Sequence, residues 1–352
     1  MYRRINKFIP GLKKNKIDAF IVYSPANISY LTEYRSRDSV LLILPGEAFY
    51  ITDGRYSEEA GACLPGLTIK KITNSFPETI AGICSRAKCR SVGFESAHLS
   101  FAGYQRLVDL MPAGMELVPF TGLIEVLRQV KEKSEIAVIR HAVDIAVEAF
   151  EFAKSYIIPG KKEIEIAAEI ERFIRFQGAS CASFDIIVAS GPNSSLPHHM
   201  TSERVIREDE PVLIDMGVEF QGYKSDLTRV FFSSKINFFM QKVYTAVLNA
   251  QKAAIKKIKP GVSLKEIDFA ARNYITNRGW GKNFVHGSGH GIGLDVHELP
   301  SISAKSGHVC VPGMIFTLEP GIYFPGKFGI RIEDNVLVTD KGCEILSEKL
   351  AK

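Results

Sequence analysis

The first third of the chain alternates short apolar runs with amphipathic stretches, a pattern that predicts strands and helices in turn. Turn signals such as Pro45-Gly46 separate the runs. Strands are predicted at DAFIVY (18–23), SVLLIL (39–44), AFYIT (48–52), SVGF (91–94) and MELVPF (115–120). We therefore expect a small α/β domain over residues 1–123.

The pattern changes over residues 122–158, where apolar residues recur at steps of three and four. These residues are Ile136, Ile139, Val143, Ala146 and Phe150. Such spacing predicts a long amphipathic helix or a pair of helices. The change places the domain boundary between residues 121 and 130, and we assign residues 124–352 to a second domain.

The second domain contains an internal duplication. PGKKEIEIAAEIERFIRFQG (159–178) and PGVSLKEIDFAARNYITNRG (260–279) both span 20 residues, with an offset of 260 − 159 = 101. The same offset separates Pro211, ahead of VLIDMG, from Pro312, ahead of MIFTLEPG, and His198 precedes His297 by 99 residues. Each half therefore predicts a helix, a histidine segment and two strands that carry a carboxylate.

Four acidic residues accompany the apolar strands of this domain, namely Asp215, Asp226, Glu319 and Glu333. A buried carboxylate loses several kcal/mol of solvation unless a cation meets it. Arg229 and Arg331 would neutralise part of the charge in a buried salt-bridge network, but two arginines against four acids leave an excess of negative charge. A pair of divalent ions, held ~3.5 Å apart by bridging carboxylates, accounts for the whole set. Oxygen ligands with an imidazole suit manganese, iron(II) or cobalt better than zinc.

The segment FVHGSGHGIGLDVHE (284–298) carries three histidines between glycines that fall on every second position. It lacks the His-Glu-x-x-His of a zincin helix, the Gly-x-Gly-x-x-Gly of a dinucleotide loop and the Gly-x-Ser-x-Gly of a nucleophile elbow. By itself it is equally compatible with an ordinary glycine-rich turn. The rest of the chain has to decide its role.

Composition narrows the function classes. The chain has 352 residues, is 46% apolar and 24% charged, and spreads a net charge of +5 over its length. These values are typical of a globular protein with two domains, and they imply neither nucleic-acid nor membrane binding. Charged residues recur through the first 20 residues, so these residues lack the apolar run of a signal sequence. The six cysteines form no Cys-x-x-Cys pair. We therefore expect a cytoplasmic protein with free thiols.

The motifs IDMG, DLTR, HGSGHGIGLDVHE, TLEPGIY and GIRIEDN, in this order, resemble the catalytic domain of the dinuclear-metal peptidases with the pita-bread fold. The preceding domain, with NISYLTEY and YITDGRY, is similar to that of the proline-specific branch, the aminopeptidase P and prolidase enzymes. The resemblance implies an α+β protein. In it, a small α/β amino-terminal domain precedes a pita-bread (creatinase/aminopeptidase-like) catalytic domain with an internal pseudo-twofold duplication.

The resemblance also implies the ligands of two divalent ions per subunit, with manganese expected first and cobalt, iron(II) or zinc as alternatives. Asp215 would bind the first ion through both oxygens, and Asp226 and Glu333 would bridge the pair. His290 and Glu319 would complete the shell of the second ion. A homodimer is expected on the same ground.

The catalytic roles follow from the same resemblance. A hydroxide between the ions would attack the peptide carbonyl, and Glu319 would return a proton to the leaving nitrogen. His198 and His297 would steady the carbonyl and the developing oxyanion, with His286 lining the same pocket. The alternating glycines would let the backbone pass close to metals and substrate without Cβ clashes.

Two positions are left open by the sequence. The family usually has an aromatic residue after the histidine that corresponds to His198, whereas this chain has His199, so either histidine is a candidate to face the metals. Arg331 is a candidate to bind a substrate carboxylate or to support Asp215.

The first functional expectation is an Xaa-Pro aminopeptidase, which removes residue X from short peptides with proline in second position, because the chain lacks long insertions. The alternative is an Xaa-Pro dipeptidase (prolidase), which splits only X-Pro dipeptides and must recognise a free carboxylate. Candidates for that contact are Arg331 and the segment EYRSRDS (33–39), which contains Arg35 and Arg37. An alternative of another class is a catalytically inactive pita-bread binding protein, but the chain retains every expected ligand.

Overall fold

The computed structural model describes residues 2–72, 74–232 and 236–352. The chain divides into two compact units, Met1–Leu127 and Arg128–Lys352. Each unit is described by itself.

The first unit alternates helices and strands. Its helices are α1 (Arg3–Lys14), α2 (Pro25–Thr32), α3 (Ser57–Cys63), α4 (Phe76–Arg86) and α5 (Phe101–Leu110). Its strands are β1 (Ala19–Val22), β2 (Ser39–Leu44), β3 (Glu47–Thr52), β4 (Thr68–Lys71), β5 (Ser91–Glu95) and β6 (Glu116–Phe120). The strands form one mixed sheet in the order β4-β3-β2-β1-β5-β6.

The five strands expected from apolar runs are confirmed in this sheet, whereas β4 was not expected. Its sequence, TIKK, is mostly exposed and offers no apolar run. It pairs in parallel with β3 at the sheet edge. Edge strands bury little surface, so hydrophobicity alone does not reveal them.

The second unit begins at the end of α6 (Glu125–Arg128), and its further helices are α7 (Lys133–Ala153), α8 (Glu163–Phe176), α9 (Phe238–Ile255) and α10 (Leu264–Thr276). Helix α7 starts with a capping box, in which the Glu135 side chain accepts from Glu132 N at 2.8 Å. None of the described helices is long and apolar enough to cross a membrane.

The strands of the second unit fall into short sheets. In the first half they are β7 (Cys181–Ala182), β8 (Ile187–Ser190), β9 (Pro211–Met216), β10 (Val218–Phe220), β11 (Tyr223–Lys224) and β12 (Leu227–Phe232). In the second half they are β13 (Gly289–Gly291), β14 (Glu298–Ile302), β15 (Ile315–Leu318), β16 (Gly321–Phe324), β17 (Phe328–Arg331), β18 (Asp334–Val338) and β19 (Cys343–Ile345). The main sheets run β12-β9-β8 and β14-β13-β15-β18-β19, and β16 pairs with β17.

The expected duplication is visible in the helices and in the core. Helices α8 and α10 lie inside the two repeated segments and end before Gly178 (φ 91°) and Gly279 (φ 84°), left-handed positions that suit glycine. Strand β9 is buried on both faces: Ile214 belongs to the core formed with α7 and α8, and Leu213 to the core formed with α9 and α10. Strand β9, which carries Asp215, is therefore closely packed on both faces.

Candidate metal centre

A cavity of about 550 Å³ opens in the second unit, between its two repeated halves. Every site residue expected from the sequence lines it: His198, Asp215, Asp226, His286, His290, His297, Glu319, Arg331 and Glu333. Ser301 and Ser303 of the β14 segment also contribute to its wall. The fold thus brings the whole expected set together.

Two pairs of strands position the acids. Asp215 lies on β9 opposite Thr228 of β12, and Asp226 immediately precedes β12. Glu319 follows the last residue of β15, and Glu333 lies between β17 and β18. Three of the four acids therefore sit at strand ends, where the backbone can turn their side chains towards a common centre.

Ligand atoms of Asp226, His290 and Glu333 all lie within 4.8 Å of one another, the spacing of a possible metal site. The Nε2 atom of His290 is 3.5 Å from Asp226 Oδ2 and 3.6 Å from Glu319 Oε1. These distances are longer than hydrogen bonds and leave room between the groups.

The carboxylates repel one another. Burial, followed by the charges of Glu333, Asp215 and Glu319, raises the pKa of Asp226 well above its usual value. Burial and the neighbouring acids do the same to the pKa of Glu333, and burial raises the pKa of Glu319 to about 7. Burial also lowers the pKa of His290 to about 4, so its imidazole is neutral and able to bind a metal.

Asp215 provides a direct test of whether the residues fit cations. Its Oδ2 accepts from Arg331 Nη2 at 2.6 Å, while its buried Oδ1 has no hydrogen-bond partner among the described residues. A buried carboxylate oxygen without a donor is costly. A divalent ion would satisfy this oxygen and screen the repulsion among the acids, so the donor set fits the metals that the motifs imply.

Two threonines, not singled out from the sequence, hold the acids. Thr228 Oγ1 donates to Glu333 Oε2 at 2.6 Å. Thr317 Oγ1 accepts from His290 N at 3.1 Å and lies 3.4 Å from Glu319 Oε1. Each threonine is two residues from an acid along an extended segment, so the period of two in DLTR and TLEPG was the available signal.

The buried Arg331 side chain donates its hydrogen bonds to other groups of the protein. Its side chain is 3% exposed, and it donates to Asp215, Thr228 Oγ1 (3.0 Å), Pro197 O (3.2 Å) and Tyr323 OH (2.9 Å). The Tyr323 hydroxyl in turn forms a hydrogen bond with His286 Nε2, and the two atoms are 2.9 Å apart. Because His286 Nδ1 lies 2.7 Å from Gly287 O, Nδ1 carries the proton and Nε2 accepts from Tyr323.

Two of the alternating glycines are required by close contacts with neighbouring strands. A Cβ at Gly289 would overlap the Thr317 carbonyl oxygen, and one at Gly291 would overlap the Leu299 carbonyl oxygen. The neighbouring strands therefore demand glycine at these two positions, a reason that the sequence analysis did not give, and the expected closeness to metals and substrate stays a prediction. Only close packing of β13 against β14 and β15 reveals this.

The two adjacent histidines point to different surroundings. His198 lines the cavity, whereas His199 Nε2 lies 3.0 Å from Glu163 Oε2 and its side chain is 9% exposed. Glu163 is fully buried and also accepts hydrogen bonds from Ser190, Asn193 and Ser202. His199 therefore anchors this loop to the buried Glu163. The preceding residue, His198, faces the cavity.

A buried ion cluster supports the segment that carries His297. Lys131 Nζ lies 2.6 Å from Glu298 Oε1, and Arg128 contacts both Glu298 and Asp295. A Cβ at Gly293 would overlap the Glu298 carboxylate, so this carboxylate packs directly against the backbone of the loop. The rings of His290 and His297, at the two ends of the loop, are 4.2 Å apart.

Comparison with known proteins identifies the family. Residues 137–340 match metallopeptidase family M24, and residues 4–130 match the creatinase/prolidase N-terminal domain. The chain belongs to metallopeptidase family M24. The resemblance to the proline-specific metallopeptidases, the α+β architecture with the pita-bread catalytic domain, and the identification as a metallopeptidase are thereby confirmed.

Three similar proteins span nearly the whole chain. A Pyrococcus horikoshii protein named Xaa-Pro dipeptidase is 35% identical over 99% of this chain and 97% of its own. An Xaa-Pro dipeptidase structure from Bacillus anthracis is 38% identical, with TM-score 0.94 and coverage of 98% and 97%. An X-Pro aminopeptidase structure from Thermotoga maritima is 33% identical, with TM-score 0.89 and coverage of 98% and 97%. Membership in M24 implies divalent metal ions.

Proposed function

We propose that this M24 metallopeptidase is an Xaa-Pro dipeptidase that hydrolyses X-Pro dipeptides. The observation that carries the proposal is the full-length similarity to proteins named Xaa-Pro dipeptidase, with a TM-score of 0.94 for one of them. The similarity favours the dipeptidase over the aminopeptidase that the sequence analysis put first.

In this proposal Asp215, Asp226, His290, Glu319 and Glu333 hold two divalent ions. The ions would supply Lewis acidity and a hydroxide at neutral pH. The neutral imidazole of His290 supports this ligand set, and so does Asp215 Oδ1, which has no hydrogen-bond partner in the described part of the chain.

The remaining residues orient groups and move protons. Glu319 would take up the proton that the attacking water loses and return it to the proline nitrogen, with Thr317 beside its Oε1 to fix the carboxylate. His198 and His297 face the cavity, from where their N–H groups donate to the substrate carbonyl and the oxyanion. Arg331 supports Asp215, and through Tyr323 it fixes the ring of His286, which borders the substrate.

A second candidate, the Xaa-Pro aminopeptidase, has one observation in its favour. The N–H groups of Arg331 donate hydrogen bonds to Asp215, Thr228, Pro197 and Tyr323. The guanidinium is therefore already hydrogen-bonded within the protein before a substrate carboxylate binds. A protein that accepts longer peptides needs no such contact. The similarity to the Thermotoga aminopeptidase structure is consistent with this candidate.

The two candidates differ in their substrates. Purified protein loaded with manganese is incubated with Gly-Pro and with Gly-Pro-Ala, before and after a chelator, and released glycine is measured. We expect chelator-sensitive hydrolysis of Gly-Pro and little of Gly-Pro-Ala, and we expect Asp226→Asn to abolish it. Equal or better hydrolysis of the tripeptide would establish the aminopeptidase, and metal uptake without hydrolysis of either would establish the inactive binding protein.

Manganese as the metal, a homodimer, a cytoplasmic location and a domain boundary after residue 123 remain predictions. Metal analysis of protein purified without added metal tests the first. Light scattering tests the second, fractionation of cells the third, and limited proteolysis the fourth.

A further inference from the structure

The strands that carry Glu319 and Glu333 form a hairpin whose ladder is interrupted at the two acids. Leu318 pairs with Asp334 on one side of the interruption, and Gly321 pairs with Arg331 on the other. The register is the same on both sides, so Glu319 lies opposite Glu333. The N–H groups of both acids turn away, to Ser288 O (2.8 Å) and to Thr228 O (3.1 Å).

Pro320 weakens the hairpin at this point. In the continued register Pro320 lies opposite Ile332, and Ile332 N donates to Pro320 O at 3.4 Å. The return bond cannot form, because proline has no N–H group. The carbonyl of Ile332, the residue before Glu333, is therefore left without its ladder donor.

A buried side chain from another element supplies the missing donor. Gln251 of α9 is fully buried, and its Nε2 donates to Ile332 O at 3.1 Å and to Leu318 O at 3.0 Å. These are the residues that immediately precede Glu333 and Glu319. The Oε1 atom accepts from Lys352 Nζ at 2.9 Å, which fixes the orientation of the amide.

The neighbouring residues of α9 and the duplicated half support this role of Gln251 as a hydrogen-bond donor to the two strands. The other buried residues of α9 are valines and alanines, so among the described residues of this helix Gln251 alone is both buried and polar. At the duplicated position, 251 − 101 = 150, the first half has Phe150, equally buried. The strands β9 and β12 of that half pair without interruption and need no such donor.

We propose that Gln251 is a positioning residue of the metal centre: its amide holds the two strands that carry Glu319 and Glu333 at a fixed separation across the interruption made by Pro320. The proposal rests on the proposed function, because it takes both acids to be metal ligands. Without the amide, two buried carbonyls lose a donor and the two acids lose their common support.

The test is manganese binding to the full chain, measured by titration calorimetry and by the magnetic-resonance signal of coupled manganese ions. Gln251→Met keeps the volume and removes both donors. We expect it to bind the second manganese about 10–100-fold more weakly and to lose the coupled signal. Pro320→Ala in the Gln251→Met background restores an N–H group opposite Ile332 and should recover most of the affinity.

Val247→Ala is the matched control, because Val247 lies one turn earlier on α9 and is fully buried. This variant should lower the free energy of unfolding without weakening the binding of the second manganese ion. The proposal for Gln251 alone is overturned if Gln251→Met binds the second manganese with unchanged affinity. It is also overturned if Gln251→Met and Val247→Ala lose this affinity equally. If Gln251→Met does not fold, Gln251→Glu, which keeps the acceptor for Lys352, takes its place with the same expectations. Wild-type protein that binds no manganese instead overturns the proposed function.

Discussion

Replacement of Glu298 by glutamine probes the buried ion cluster beneath the His297 segment. The side chains of Lys131, Arg128 and Glu298 are only 1%, 3% and 4% exposed. The substitution preserves shape but removes the negative charge. Arg128 keeps Asp295 as a partner, whereas Lys131 retains no carboxylate among the described residues.

The magnitude follows from this burial. Removing one partner of a buried ion pair costs about 3–5 kcal/mol, because the remaining charge is uncompensated. Glu344→Gln is the matched control, since Glu344 binds Arg140 through both oxygens but the side chains are 42% and 39% exposed. An ion pair in solvent contributes about 0–1 kcal/mol.

The assay is urea unfolding followed by fluorescence of the single tryptophan, Trp280, which lies in the same unit. Glu298→Gln should lower the midpoint several times more than Glu344→Gln, at unchanged slope. Equal losses in the two variants would refute the reasoning that burial sets the cost.

The same variant has a defined pH dependence. Burial raises the pKa of Glu298, but Lys131 and Arg128 together outweigh it, so the pKa in the folded protein is lowered. A lowered carboxyl pKa contributes stability above the unfolded value of about 4.3 and loses it as the pH falls through the folded value. The difference between wild type and Glu298→Gln should therefore narrow below about pH 4.3. A constant difference down to pH 3 would contradict the assignment.

Three further outcomes are expected. Gly289→Ala should cost about 1–3 kcal/mol or more in urea unfolding, because its Cβ would overlap the Thr317 carbonyl; a loss below about 1 kcal/mol would contradict the packing. His199→Phe should cost about 1.5–3 kcal/mol by removing a donor to the buried Glu163 carboxylate, and unchanged thermal stability would count against this bond. Chelation should lower the melting temperature, since ions at 100 times their dissociation constant stabilise the folded state by about 2.7 kcal/mol; no shift would argue against a bound metal.

The sequence predicted most of the fold because its signals are local. The apolar runs of β1, β2, β3, β5 and β6 and the helical period of α7 can be read within single windows, and the 101-residue duplication reveals the paired helices α8 and α10. The exposed edge strand β4 was missed for the same reason, since it has no local apolar signal.

The sequence also predicted which residues gather around the cavity, from motif order and from the physical cost of burying four acids. It did not predict which neighbours support them. Thr228 and Gln251 reach Glu333 or the strands of the acids from positions about 65 to 105 residues distant, and nothing in the local sequence indicates those partners.

Sequence by itself determined the residue types, their order and the need for cations, because the free energy of a buried carboxylate depends on chemistry rather than on position. Tertiary structure alone decided that His198 faces the cavity while His199 binds Glu163, and that Glu319 lies opposite Glu333 beside Pro320. These choices depend on strand register and on side-chain packing between distant segments. A local pattern of apolar and polar residues fixes neither.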